Sequence, residues 1–277
     1  MSIFAIDLDG TLLTDDHQVT KMNKQAIQLA ESLGNTIVIA TGRSVHSAVE
    51  HLKMLEIDGY VVALNGAVVM ETSNQEILFE KMLHKEGAKA MLEIGEAYNA
   101  NVSISCLENN YQVDFTGQKQ DFVQEFLPGQ TPFTIISHQE AQQIIQRDSV
   151  LKVAIMNENI EKLEEMKRHL FESGHPVISS DTHYIELMAE GVNKGYGTRI
   201  IAEKLEVPKN DIVVFGDQEN DLGLFAIAGV SFAMGNANPA IRLIADHVIE
   251  SNNESGVGKT IMRLLDNRRT VLRGGQE

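Results

Sequence analysis

The sequence predicts an α/β protein: a parallel-sheet core interrupted by a smaller α+β insertion. Short aliphatic runs alternate with longer amphipathic stretches at both ends of the chain, the order of a parallel sheet with helices on both faces. The texture changes over residues 83–188, where helical segments and short alternating strands come in mixed order. The expected division is a core of residues 1–82 and 189–277, with residues 83–188 as an inserted second domain. A length of 277 residues agrees with two domains of roughly 150 residues each.

Ile3-Phe4-Ala5-Ile6 is apolar without alternation, as a strand buried on both faces must be. Residues 18–33 place Ala26, Ile27, Leu29, Ala30 and Leu33 at helical spacing, and Gly34 follows as a stop. Residues 36–40 form a second strand, and residues 44–55 a second helix with Ser44 as its cap. A third strand covers residues 60–64, and Asn65 and Gly66 break the apolar stretch that contains it. In the insertion, helices are expected at 85–98 and 158–173 and strands at 102–107, 111–115 and 150–156. Gly129, Pro132 and several glutamines mark loops there.

The first texture returns with a helix over 194–205, stopped near Pro208. A strand over 211–215, a helix over 220–228 and strands over 230–234 and 246–249 follow. The last helix runs from 256 to about 265, and the tail after Asp266, with Arg268, Arg269 and Arg273, is expected to fray.

Thirty-nine acids against twenty-three bases give a net charge of -16, which argues against a nucleic-acid binder. A hydrophobic content of 43% excludes a disordered chain. The single cysteine, Cys106, supports neither a disulfide framework nor a thiolate metal site, so a reducing compartment is the natural reading. The N-terminus lacks the basic and then apolar pattern of a signal peptide, and no apolar run is long enough to cross a membrane. The expectation is a cytoplasmic protein without a membrane partner, a monomer or small homo-oligomer.

Ligands of parallel α/β sheets bind beyond the carboxyl ends of the strands. There the chain places Asp7-Leu8-Asp9-Gly10-Thr11, Thr41-Gly42-Arg43, Asn65-Gly66, Gly216-Asp217-Gln218-Glu219-Asn220-Asp221 and Gly235-Asn236-Ala237. One such loop would be an ordinary turn. Five in succession, holding Asp7, Asp9, Asp217 and Asp221, point to chemistry. The spacing of Asp7 and Asp9 puts both carboxylates on one face of an extended chain. Carboxylates converging in one cleft repel, and a divalent cation relieves the repulsion. All-oxygen ligation with few protein donors suits magnesium, which shares its shell with substrate phosphate. Lys194 reads either as a solvated first-turn lysine or as a partner of an anion, and the helix dipole, which disfavours a cation there, leans toward the anion.

Other patterns fall short of their motifs. Gly258-Lys259-Thr260 imitates the end of a P-loop, but Asn253 stands where its first glycine belongs. Gly195-x-Gly197 is half a dinucleotide fingerprint, with Ile200 in place of the third glycine. His46 and His51 lack the four-residue spacing of a helical metal pair. Cys106 reads as a strand residue.

At its four loop motifs the sequence resembles the haloacid dehalogenase superfamily of phosphohydrolases, in its Cof-type subfamily with a large inserted cap. The motifs occur in order: Asp7-x-Asp9-Gly10-Thr11, Thr41-Gly42-Arg43, Lys194 within Gly191-Val192-Asn193-Lys194-Gly195, and Gly216-Asp217-x-x-Asn220-Asp221. The resemblance covers the chain to about Leu265, with Leu224 where relatives often carry methionine. It implies a Rossmann-like core and a magnesium-dependent phosphatase of small phosphomonoesters, such as sugar phosphates or phosphorylated cofactors. Asp7 would be the nucleophile that forms an aspartyl-phosphate, and Asp9 the general acid and then base. Asp7, Asp217 and the main-chain carbonyl of Asp9 would hold magnesium, with Asp221 close by or acting through water. Thr41, Gly42, Lys194, Asn220 and the Leu8 amide would bind phosphoryl oxygens, with Arg43 and Asn65 lining the mouth. A phosphotransferase or phosphomutase of the same superfamily is the alternative, and a signalling module that only stores an aspartyl-phosphate is more remote.

Overall fold

Of the 277 residues, the structure, a computed structural model, describes 1–115, 133–147 and 149–274. The loop expected around Gly129 and Pro132 lies outside the described residues. In chain order the first elements are β1 (Ile3–Ile6), α1 (Lys21–Ser32), β2 (Thr36–Ala40), α2 (Val45–Leu55), β3 (Tyr60–Ala63), β4 (Val68–Glu71) and β5 (Glu76–Glu80). Then come α3 (Lys85–Ala97), β6 (Asn101–Ser105), β7 (Asn110–Asp114), β8 (Thr134–Ser137), α4 (His138–Arg147), β9 (Lys152–Met156), α5 (Ile160–Glu172), β10 (Ile178–Asp181) and β11 (Tyr184–Met188). The last are α6 (Lys194–Lys204), β12 (Ile212–Gly216), α7 (Leu222–Ile227), β13 (Val230–Ala233), α8 (Pro239–Ile244), β14 (His247–Val248) and α9 (Gly256–Gly274).

The first sheet has the order β14-β13-β12-β1-β2-β3-β4-β5. From β14 to β3 the neighbours are parallel, with β1 in the middle between β12 and β2. All four residues of β1 are buried because helices cover both faces. Phe4 and Ile6 share a cluster with Ala26, Ile27, Leu52 and Ile261, from α1, α2 and α9. Ile3 and Ala5 share another with Ile201, Ala202 and Leu224, from α6 and α7. The expected parallel sheet is thus present, with one correction: β4 and β5 add an antiparallel hairpin at its edge. The break at Asn65 and Gly66 turns the chain back rather than out of the sheet.

Helix boundaries follow their caps. Thr20 Oγ1 accepts the Asn23 N–H at 3.1 Å, so α1 starts at Lys21 rather than at residue 18. Ser44 caps α2 as expected, accepting from Ser47 N–H at 3.3 Å. The helix expected over 220–228 is a tight turn followed by the short α7, and α8 was not anticipated. α9 runs to Gly274, past the end expected near residue 265. The glycines of the false motifs serve close packing. A Cβ at Gly195 would lie 1.9 Å from Gly223 O, and one at Gly258 would lie 2.8 Å from Met22 O.

The second sheet has the order β10-β11-β9-β6-β7-β8, antiparallel except for β7 with β8. Its strands alternate. Val102, Ile104, Val153, Ile155, Ile185 and Leu187 pack against Met91, Ala141 and Met166 of α3, α4 and α5. Ser103, Ser105, Lys152, Ala154, Tyr184 and Glu186 face the other way, toward the first sheet, where they line a cavity. β8, α4, β10 and β11 were not anticipated. α4 is glutamine-rich and buries only Ala141 and Ile145, and β10 carries two serines, so neither shows a strong apolar pattern.

Candidate active site

β1 ends at Ile6, and the Asp7 N–H continues its ladder to Phe215 O at 3.2 Å. That bond fixes the backbone of Asp7 at the carboxyl edge of the central strand. The chain then turns through Leu8–Leu12, with Gly10 at φ +74°. Glycine is needed there twice over, since a Cβ would also lie 2.4 Å from Asp217 Oδ2. Thr11 Oγ1 donates to Asp217 Oδ1 at 2.8 Å, so the first motif holds the fourth in place. Leu8 has its side chain in the core and offers the site only its main chain.

Asp221 uses one oxygen to close its own loop and the other to hold a lysine. Its Oδ2 accepts from the N–H groups of Asp217 and Gln218, at 2.8 and 3.1 Å. Its Oδ1 accepts from Lys194 Nζ at 2.7 Å, and the same ammonium donates to Asp7 Oδ1 at 2.7 Å. Lys194 is the first residue of α6, which Asn193 caps by accepting from the Tyr196 N–H. The lysine is fully buried.

Asp7, Asp217 and Asp221 offer oxygens within 4.8 Å of one another, and all three residues are buried. One ammonium faces three carboxylates. Burial, joined by the charges of Asp221 and Asp9, pushes the Asp7 carboxyl up to about 7 despite Lys194. Burial and the neighbouring Asp7 and Asp221 push Asp217 well above the usual range. Burial acts against the charge of Lys194 too, but Asp221 and Asp7 hold its proton more firmly than usual. Hard oxygen donors with excess negative charge are the donor set of a divalent cation. The side chain of Asp9 is not in this cluster.

Asp9 pairs instead with Arg43. Nε and Nη2 of the guanidinium donate to its two oxygens at 2.8 and 2.5 Å, and His17 Nδ1 stands 3.7 Å away. Burial alone would raise Asp9, yet Arg43 and His17 hold it well below the usual carboxylate range. Arg43, expected at the mouth, lines the cavity together with Asp9, buried and with its fork on the Asp9 carboxylate. Thr41 is buried beside it, with its Oγ1 accepting the Arg43 N–H at 3.1 Å.

A cavity of about 90 Å³ is bounded by Asp7, Thr41, Gly42 and Asn220 on one side and by Ser103, Lys152 and other residues of the second sheet on the opposite side. A second charged group crosses between the sheets. Lys152 Nζ donates to Gly42 O at 2.7 Å and to Glu186 Oε1. Glu186 Oε2 accepts from Asn65 Nδ2 at 2.6 Å, and Asn65 Oδ1 accepts from Asn220 Nδ2 at 3.1 Å. Sequence reasoning missed Thr11, His17, Lys152 and Glu186 as members of the site. The last two carried a signal: a charged residue inside an otherwise apolar strand, Leu151-Lys152-Val153 and Ile185-Glu186-Leu187, is rarely buried without a partner.

Over 263 residues the chain is 28% identical to a 5-amino-6-(5-phospho-D-ribitylamino)uracil phosphatase of Bacillus subtilis, covering 94% of each chain. It is 29% identical to another Bacillus subtilis phosphatase, over 96% of this chain and 100% of that one. A solved haloacid dehalogenase-like hydrolase from Bacillus subtilis superposes with a TM-score of 0.85 at 27% identity, covering 95% of this chain and all of that one. With the family profile matched from residue 4 to residue 261, all four loop motifs inside it, the chain belongs to the haloacid dehalogenase-like hydrolases.

Proposed function

We propose that this chain is a magnesium-dependent phosphatase of small phosphomonoesters that works through an aspartyl-phosphate on Asp7. The observation that carries the reading is the buried Asp7 carboxylate, aimed from the central strand into a cavity and held by Lys194 within an acidic cluster. Asp7, Asp217 and Asp221, with the main-chain carbonyl of Asp9, would hold the magnesium. Bound there, it would neutralise charge on the carboxylates and on the phosphoryl oxygens.

An oxygen of Asp7 attacks phosphorus, and the bond from phosphorus to the leaving oxygen breaks. Asp9 supplies a proton to that oxygen. It can do so only after gaining a proton and loosening its pairing with Arg43, a pairing that keeps it ionised in the arrangement seen here. Asp9 then takes a proton from water, the water oxygen attacks phosphorus, and the Asp7–phosphate bond breaks to release phosphate. Thr41, the amides of Gly42 and Leu8, Lys194 and Asn220 position the phosphoryl oxygens.

Residues 83–188 act in this reading as a cap that closes on a core of residues 1–82 and 189–277 and excludes water. The small cavity and the hydroxyl-bearing face of Ser103, Ser105 and Tyr184 favour a compact, hydroxylated metabolite over a phosphoprotein. Sugar phosphates and phosphorylated cofactors, including the ribityl type named for a relative, fit that description. Among the described residues no helix is long and apolar enough to cross a membrane.

The test is phosphate release from hexose phosphates, nucleoside monophosphates, flavin mononucleotide and pyridoxal phosphate. It is run with magnesium, with chelator, and with Asp7→Asn. Release that needs magnesium and vanishes in Asp7→Asn is expected. Release that survives Asp7→Asn would sink the nucleophile assignment.

A further inference from the structure

We propose that Glu186, a residue of the second sheet, sets the polarity of an amide relay that presents Asn220 to the phosphoryl group. The inference rests on the reading of Asn220 as a phosphoryl donor.

The relay starts at Lys152, whose ammonium can only donate. It donates to Glu186 Oε1 and to Gly42 O. The Glu186 carboxylate can only accept, so the end of the Asn65 amide that faces it must be the NH2. That bond is Asn65 Nδ2 to Glu186 Oε2 at 2.6 Å. Asn65 Oδ1 must then point the other way, and there it accepts from Asn220 Nδ2 at 3.1 Å. Asn65 cannot drift. It is fully buried, its N–H donates to Thr41 O at 2.9 Å, and its φ of +54° is one asparagine tolerates well.

Among the described residues Asn220 has no other hydrogen-bond partner to orient its amide. Its Oδ1 is buried without a hydrogen-bond partner among the described residues, and the residue lines the cavity. The two ends of an amide are nearly identical in shape, so only hydrogen bonding decides which way it faces. Bonded to Asn65 through one N–H, Asn220 keeps the second N–H of the same nitrogen for a ligand. The polarity is therefore passed from Glu186 through Asn65 to Asn220. Because Glu186 lies on the second sheet and Asn65 and Asn220 on loops of the first, the relay is complete only while the sheets are together.

Glu186→Gln should invert it. Lys152 still demands an oxygen, so Gln would turn its Oε1 to Lys152 and its NH2 to Asn65. Asn65 would turn over, and Asn220 would follow, placing Oδ1 where its NH2 now stands. An oxyanion would then meet lone pairs instead of a donor. Losing one hydrogen bond to a charged group corresponds to about a tenfold weaker affinity or more.

The experiment is titration calorimetry of inorganic phosphate into the full-length chain with magnesium. It compares the native protein, Asn220→Ala, Glu186→Gln, and Asn65→Asp combined with Glu186→Gln. Asn220→Ala and Glu186→Gln are each expected to lose about tenfold in phosphate affinity. The double variant moves the carboxylate one step along the relay. Asp at position 65 accepts from both Gln at 186 and Asn220, so phosphate should bind more tightly than to Glu186→Gln alone. A merely structural Glu186 would not be rescued in this way.

Native affinity in Glu186→Gln, or a double variant no tighter than Glu186→Gln, overturns the relay and leaves Asn220 as a donor. Native affinity in Asn220→Ala overturns the reading of Asn220 and the relay with it. Should Glu186→Gln not fold, Lys152→Met with Glu186→Gln leaves Gln free to offer its oxygen to Asn65. Native-like affinity supports the relay there, and a tenfold loss overturns it.

Discussion

Lys194 and Lys152 are both buried and both hold carboxylates, and the cavity that Lys152 lines is also lined by Asp7, a partner of Lys194, yet only Lys194 is outnumbered. It faces Asp7 and Asp221 with Asp217 close behind, whereas among the described residues Lys152 pairs with one carboxylate, Glu186. A buried charge that is matched and hydrogen-bonded needs nothing further. A buried cluster with excess negative charge does, and the raised Asp7 and Asp217 carboxyls are the sign of that excess. On the proposed reading the first place binds and the second orients.

The largest expected effect tests the binding place. Asp7→Asn should lower turnover by at least about 10⁴-fold, as losing a nucleophile does, while its fold survives. Phosphate release and circular dichroism check the two halves of that statement. Next come the lysines themselves. Lys194→Met and Lys152→Met should each cost about 3–5 kcal/mol, because each strands buried carboxylate charge. In urea denaturation, magnesium should recover part of the loss for Lys194→Met and none for Lys152→Met. Equal recovery in both would break the distinction drawn here.

The two clusters should also respond to pH with opposite sign. The Asp7 carboxyl is raised to about 7 and that of Asp217 is raised as well, so between about pH 4, the ordinary carboxyl range, and the Asp7 value the folded chain binds more protons than the unfolded one. Their contribution falls as pH rises through that window. Glu186 behaves in reverse. Burial would raise it, but Lys152 holds it below its usual value, so its stabilisation is present at neutral pH and lost as pH falls through that lowered value. Without divalent cations the melting temperature should therefore drop between about pH 5 and 7, and saturating magnesium should flatten the drop. A drop of the same size with magnesium would remove the cation from the explanation.

The smallest effect asks whether the two regions unfold together. Asn159 caps α5 by accepting from Lys162 N–H at 3.1 Å, and Thr20 caps α1. Asn159→Ala and Thr20→Ala should each cost about 1 kcal/mol. If the two regions melt separately, Asn159→Ala moves only the calorimetric transition of the second-sheet region and Thr20→Ala only that of the first.

Much of this was legible in advance. β1, β2 and β3 were readable because strands buried on both faces must be apolar throughout, and Asp7, Thr41 and Asp217 follow such strands directly. Lys194 was readable from its motif. The β4–β5 hairpin was not, because Glu76–Glu80 is a half-exposed edge strand that keeps no clean apolar pattern. Nor was the pairing of Arg43 with Asp9. Its sequence neighbours place it at the mouth, while its bond to Asp9 depends on how two separate loops pack.

By itself the sequence determined which residues lie at the carboxyl edge of the parallel sheet. Parallel strands all end on one side, and loop chemistry is written locally. Only the tertiary structure decided which of those residues touch. Glu186 meets Lys152 across a strand pair, and Asn65 meets Glu186 across the two sheets, at sequence separations of 34 and 121. Alternation along a strand tells which face a side chain takes, but not which strand lies beside it or which sheet lies opposite. Those contacts come from register and docking, and burial then makes each hydrogen-bond partner obligatory.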